Sequence, residues 1–374
     1  MRTTLTLFPL LLLLATPLMA QTTEVVEVDT EEVEERSFQL TGYVDAYFQH
    51  VLTDDNDDDA DTNMGFPTSF TPETRGFSVG NVNLLAEKTM GKVGFVGQVG
   101  FGPRANAANG DFPNLQQLYV TYSPSEAITF TLGQFGTFVG YEVIDAPANM
   151  NYSTSYLFSY GPFFHTGLKA DFAIAEGFGA MVGVFDNTDS RFNSAGYYYG
   201  GQLSAEVGGL AAYLNVLTGT DTKDVMGDEN ETTLQVDLTA TYEVNESLLF
   251  GVNASNKQTQ QLLGDESGVS DGDGFTGLAL YSTVGLSDGF ALSLRGEYFT
   301  VADDPNSAAD GRSVTALTAT GNFTIGDLRI MPEFRFDSSS DFADKYAGGI
   351  IDFGGEDAED DSIATFVLAA VYAF

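Results

Sequence analysis

Apolar and polar residues alternate along this chain with a period of two. Between 38 and 49 the even positions are Phe38, Leu40, Gly42, Val44, Ala46 and Phe48, and the odd ones are Gln39, Thr41, Tyr43, Asp45, Tyr47 and Gln49. One face is apolar and the other polar, as in a strand between two unlike environments. The split returns at 234 to 243, where Leu234, Val236, Leu238, Ala240 and Tyr242 oppose Gln235, Asp237, Thr239, Thr241 and Glu243. It returns again at 290 to 299, with Phe290, Leu292, Leu294 and Tyr298 against Ser293, Arg295 and Glu297.

A soluble sandwich would alternate in the same way, so the joints between strands decide. Short breaks fall at 89–91, 123–127, 175–177, 208–209, 245–246, 287–289 and 326–327. Long polar breaks fall at 52–76, 104–113, 136–164, 186–194, 219–230, 259–273, 303–312 and 338–361. Short and long alternate throughout, and seven plus eight breaks divide the chain into sixteen strands. That asymmetry predicts an all-β fold, a transmembrane up-and-down antiparallel barrel with tight periplasmic turns and long external loops. In lipid every backbone N–H and C=O needs a partner, so a spanning sheet has to close on itself. A barrel of this size leaves an aqueous channel, and polar residues cost little when they face it. The predicted inward row fits such a lumen: Asn81, Asn83, Gln117, Lys169, Asp171, Gln202, Ser204, Asn253, Ser255, Arg329, Glu333 and Arg335, with Tyr43, Asp45 and Tyr47 on the first strand. The last strand departs from it, with Val367, Ala369 and Val371 inward, which predicts a covered wall or a subunit contact.

The ends of the chain add targeting. Met1 and Arg2, an apolar run from Leu5 to Leu14 and the exit Leu18-Met19-Ala20 read as a secretory signal over 1–20. Residues 21–36 are an acidic leader expected to face the periplasm, and 37–374 form the barrel. The final segment puts Phe366, Leu368, Tyr372 and Phe374 on one face and ends on the phenylalanine. It resembles the signal read by the outer-membrane assembly machinery.

Composition then removes alternatives. Cysteine is absent, which excludes a disulfide framework and thiol chemistry. A net charge of −38 excludes nucleic acid as a partner, since phosphate binding needs clustered cations. The run Asp54-Asp55-Asn56-Asp57-Asp58-Asp59 lacks the glycine and glutamate of a calcium-binding hand and reads first as a solvated external loop, with loose divalent binding as the alternative, and the same holds for 356–361. No cofactor or metal is expected. Only His50 and His165 are present, without a nucleophile elbow or an orienting acid, so no enzyme is expected. A hydrolytic barrel and a non-conducting structural or adhesive barrel stand as the alternatives.

The chemistry concentrates in the longest break. Gly133-Gln134-Phe135, Gly140-Tyr141-Glu142, Asn149-Met150-Asn151-Tyr152-Ser153, 162–167 (PFFHTG) and the opening Gly42-Tyr43-Val44-Asp45-Ala46-Tyr47 resemble the β-barrel porin family of Gram-negative outer membranes. The resemblance implies an outer-membrane porin for small hydrophilic solutes. The bottom-up reading agrees: the break follows the fifth strand and its glycines and prolines let it turn sharply. It is expected to fold into the bore as a constriction carrying Tyr141, Glu142, Asp145, Asn149, Asn151 and Tyr152, with negative charge from Glu142 and Asp145 at the narrowest point. Opposite it, Arg295, Arg329 and Arg335 would form a wall and a transverse field, or would pair locally with Glu297, Glu333 and Asp337, and the two arrangements are compatible. The inward cations Lys169, Lys257, Arg295, Arg329 and Arg335 face the acids Asp45, Glu87, Asp171, Glu206, Asp237, Glu243, Glu297 and Glu333, five against eight, which predicts a preference for cations. Outer-membrane lipid surrounds the wall, and a homotrimer is a further expectation.

Overall fold

The computed structural model describes residues 38–52, 68–71, 75–110, 112–192, 196–222, 229–263, 269–271, 274–302, 313–339 and 362–374. The signal, the leader and the two acidic runs lie outside the described residues. Sixteen long strands are present: β1 (Gln39–Val51), β2 (Arg75–Met90), β3 (Val93–Phe101), β4 (Leu115–Ser125), β5 (Ile128–Gly136), β6 (Phe164–Ala175), β7 (Phe178–Phe185), β8 (Tyr198–Val207), β9 (Leu210–Thr222), β10 (Glu229–Asn245), β11 (Leu248–Leu263), β12 (Phe275–Ser287), β13 (Phe290–Val301), β14 (Ser313–Ile325), β15 (Leu328–Ser339) and β16 (Ser362–Ala373). Each pairs antiparallel with its chain neighbours, and β1 also pairs with β16, so the sheet closes into a barrel.

Seven joints are two residues long, among them Gly208-Gly209 between β8 and β9. Both of those glycines have positive φ, 58° and 86°, which two-residue hairpin turns demand and residues with a Cβ resist. The long joints are the predicted external loops. Two are shorter than expected: β9 and β10 stay paired to Thr222 and Asn230, and β11 reaches Leu263, where its tip adds the three-residue strand Val269–Asp271. Thr, Gln and Asn in these stretches mimic a loop in sequence, but threonine suits the extended ladder.

The inside-out burial of a membrane barrel is plain along β1, where Tyr43, Asp45, Tyr47 and Gln49 are buried while Leu40 and Val44 are exposed. The closing seam is tight. Gly42 and Phe374 exchange backbone hydrogen bonds of 3.0 and 2.9 Å, and a Cβ on Gly42 would stand 2.3 Å from the Asn83 carbonyl oxygen and 2.9 Å from the Phe374 ring.

The bore is not empty. Loop 1 (68–71), loop 2 with helix α1 (Pro103–Asn109) and loop 3 (137–163) with helix α2 (Tyr156–Tyr160) turn inward. Phe70, Ala108, Ile144 and Phe158 form a buried apolar cluster between them. The apolar inner face of β16 is covered, as its composition predicts: Val367, Ala369 and Val371 pack with Tyr43, Tyr47 and Met331 and with Ala146 and Tyr152 of loop 3.

The candidate channel constriction

Loop 3 leaves the wall through a stapled neck. Thr137 N–H donates to the Phe163 carbonyl at 3.1 Å, Thr137 Oγ1 and His165 Nε2 are 2.9 Å apart, and Asp189 Oδ1 accepts from Phe163 and Phe164 N–H at 2.7 and 3.0 Å. The outgoing limb then runs round the wall. Phe138 packs on His165 and Phe185, Gly140 N–H donates to Asp237 Oδ1 at 3.0 Å, and the Tyr141 ring stacks on Tyr281 at 4.2 Å. Gly251 makes room for that stack, since a Cβ there would stand 2.4 Å from the Tyr141 hydroxyl. Glu142 ends the limb: Oε1 takes a 2.6 Å bond from Arg295 Nη1 and Oε2 a 2.6 Å bond from Ser155 N–H.

The loop next crosses the bore. Asp145 accepts from Gln98 and Gln116 side chains at 2.8 and 2.9 Å, with Asn83 at 3.5 Å. Burial pushes its carboxyl above the usual aspartate range, while the Gln116 and Gln98 amides pull the other way. Asn149 folds back on Val143, accepting from its N–H at 3.1 Å and donating to its carbonyl at 2.7 Å. Arg329 Nη2 reaches the carbonyls of Ala146, Pro147 and Asn149 at 2.9, 2.9 and 3.0 Å.

The return limb lies along β13 to β15. Asn151 donates to Thr320 at 2.7 Å, and Tyr152 Oη donates to Asp45 Oδ2 at 2.7 Å. Glu333 accepts from the N–H groups of Tyr152 and Ser153 at 2.7 and 3.1 Å, and Glu297 from those of Tyr156 and Leu157 at 2.9 and 2.8 Å. The second pair sits at the start of α2, where helix N–H groups lack intrahelical partners, and Ser155 Oγ takes a third from Phe158. Arg295 also donates to the Ser153 carbonyl and Arg335 to that of Thr154, both at 2.7 Å. Buried charges are costly unless paired or hydrogen-bonded, and the loop's peptide groups supply many of the hydrogen bonds that offset that cost along this wall.

Every predicted constriction residue therefore lies in the bore, but several predicted pore-lining charges do not face open water. Asp45, Asp237, Arg295, Glu297, Glu333 and Arg335 are buried against loop 3, as are Tyr43 and Tyr47. The expected arginine wall across from an acidic loop is corrected accordingly. Arg295 and Glu142 touch, Arg335 pairs with Asp337 at 2.8 Å, and Arg329 binds loop carbonyls, so no open gap separates the two signs. Only the Arg335–Asp337 pairing is local to the wall. Away from the loop, Lys169 and Asp171 pair at 3.0 Å with their side chains partly exposed, and Glu243 is exposed near the β10–β11 turn. Inward positions with partial exposure, including Thr121, Thr129, Gln202 and Ser204, lie on β4 to β8.

Sequence reasoning missed the contributions of loops 1 and 2. Gln98 and Gln116, which hold Asp145, stand beside a register shift in β4 that single-strand periodicity does not reveal. Gly102 before Pro103 was the legible signal for α1, since proline is favoured at the first position of a helix.

Likeness to known proteins agrees with this architecture. The outer membrane channel DcaP of Acinetobacter baumannii superposes with a TM-score of 0.59 at 13% identity, covering 90% of this chain and 97% of that one. OmpF of Salmonella typhi gives 0.58 at 12%, covering 91% and 100%. OmpT of Vibrio cholerae, in a trimer form, gives 0.55 at 12%, covering 90% and 99%. No curated protein matches the chain. The model of one family matches residues 37–374, and the chain belongs to that family, described as "Putative beta-barrel porin-2, OmpL-like".

Proposed function

We propose that this porin passes small hydrophilic solutes across the outer membrane by passive diffusion past loop 3, and that it prefers cations. The observation that carries the reading is the mounting of loop 3: acidic and basic wall side chains on β10, β13 and β15 hold its backbone inside a closed barrel. The charge preference rests on what pairing leaves over. Arg295–Glu142, Arg335–Asp337, Arg104–Asp45 and Lys169–Asp171 cancel within their own contacts. Around the constriction, Asp145, Asp237, Glu297 and Glu333 accept from backbone N–H, amide and hydroxyl donors, while Arg329 spends its guanidinium on loop carbonyls. A narrow, low-dielectric passage with that surplus attracts cations.

Purified protein in planar bilayers tests both parts. Stepwise current with a reversal potential on the cation side of a salt gradient is the expected result. An anion-selective reversal potential removes the preference, and silence removes the channel.

The packed bore favours a second reading, a closed structural barrel, because Phe70, Arg104, Ala108, Ile144 and Phe158 are all buried within it. Liposome swelling with sugars of graded size separates the two. A hydrolytic role has little to stand on: His165 is buried among Phe135, Phe138 and Phe185, and His50 is in the outward phase at the end of β1. Export through cleavage after the signal, recognition of the outward Phe366, Leu368, Tyr372 and Phe374 by the assembly machinery, a homotrimer like the form seen for OmpT, and divalent cations on the acidic loops complete the proposal. Mass spectrometry of the mature N-terminus and unheated electrophoresis test the first and third.

A further inference from the structure

Loop 2 is the part of the bore to which the porin reading gives no task. Glycines on β2, on β3 and before α1 let the helix, the strands and Asp45 pack closely. A Cβ on Gly80 would stand 2.1 Å from Asp45 Oδ2, one on Gly100 would stand 3.1 Å from Ala105 Cβ, and one on Gly102, at φ 142°, would stand 2.5 Å from the Gly80 carbonyl. From α1 Arg104 extends into the bore, fully buried. Its Nη2 is 3.5 Å from Asp45 Oδ2 and its Nη1 is 3.4 Å from the Ile144 carbonyl. Its guanidinium lies over the rings of Phe70 at 4.8 Å and Tyr152 at 5.2 Å. Tyr152 donates to the same Asp45 oxygen. One cation thus joins loop 1, loop 3 and the wall strand β1.

This joint is the loosest of the buried ion pairs in the bore. Arg295 and Arg335 reach their carboxylates at 2.6 and 2.8 Å, whereas the Arg104 contacts stand at the edge of hydrogen-bond range. Arg104 Nε and Asp45 Oδ1 are both buried without a hydrogen bond, one atom on each side of the pair, whereas the Arg295–Glu142 and Arg335–Asp337 pairs leave such an atom on the guanidinium side alone. A buried pair that leaves polar atoms unsatisfied recovers less of its desolvation cost, so opening it sacrifices least.

We propose that Arg104 is a positioning residue of the pore: it holds the 144–152 stretch of loop 3 against β1, and so sets the width of the bore. The inference deepens the porin reading and rests on it. Arg104→Met keeps the stem and removes the fork. In planar bilayers, with folding first confirmed by heat-modifiable electrophoretic mobility, its single-channel conductance is expected to rise roughly twofold with added open-channel noise. Arg104→Lys should fall between the two. Asp45→Asn breaks the same contact from the wall and should shift conductance in the same direction, and the double variant should be no wider than Arg104→Met alone. Should Arg104→Met fail to fold, Asp45→Asn carries the expectation by itself. Wild-type conductance in a folded variant overturns the proposal and leaves the porin reading standing, and silence from every form overturns both.

Discussion

Glu297 and Glu333 stand on alternate strands of the wall, and each carboxylate accepts hydrogen bonds from two consecutive backbone N–H groups of loop 3. A carboxylate used this way fixes the direction of the loop backbone as well as its distance from the wall. Glu297→Gln and Glu333→Gln keep the shape but turn half of each acceptor into a donor facing a donor. Each should weaken local docking by about 1–3 kcal/mol. Hydrogen exchange at Tyr156 and Leu157, or at Tyr152 and Ser153, should accelerate in the matching variant, and unchanged protection at those amides would count against the role.

The Arg295–Glu142 pair should show the asymmetry of a buried ion pair. Removing one member leaves the other charged and unpaired, so Arg295→Met is expected to cost about 3–5 kcal/mol of loop docking. Arg295→Met combined with Glu142→Leu should recover much of that loss. Limited proteolysis within 137–163 reads the difference, and additive losses in the double variant would contradict it.

At the seam, Gly42→Val places side-chain atoms where the Asn83 carbonyl and the Phe374 ring already stand. Overpacking of this kind costs about 1–3 kcal/mol, here at the contact that closes the barrel. The temperature at which the folded band disappears on semi-native electrophoresis should drop, and an unshifted band would disprove the point.

Asp145 supplies a pH dependence. Burial raises its docked pKa above the free value, so docking is favoured where the carboxyl is protonated. That contribution is complete below about pH 3.9, the ordinary aspartate pKa, and is lost as pH rises through the raised docked value. Current should therefore increase with pH across this window and flatten in Asp145→Asn. A fall with rising pH, or the same slope in the variant, would rule the account out.

The wall was legible in the sequence because lipid on one side and polar surroundings on the other impose a period of two. Turn chemistry located the seven hairpins for the same local reason, as at Gly208-Gly209 and Gly326-Asp327. The inward course of loop 3 was also readable from its length and position. What Arg295 and Glu333 touch was not. Phase along a strand says which way a side chain points, but their partners lie 153 and 181 residues away in sequence, at Glu142 and Tyr152. Loops 1 and 2 escaped for a related reason: Phe70 and Arg104 come from different loops and meet through the tertiary fold.

The wall grips loop 3 largely by its peptide groups: Asp237, Glu297 and Glu333 accept from N–H, and Arg295, Arg329 and Arg335 donate to C=O. Every amino acid except proline offers both handles. The specification for the loop's path is thus written in the barrel, and many loop residues can be exchanged without dismounting it. Evolution or an engineer can relabel the gateway for a new cargo while the frame stays untouched.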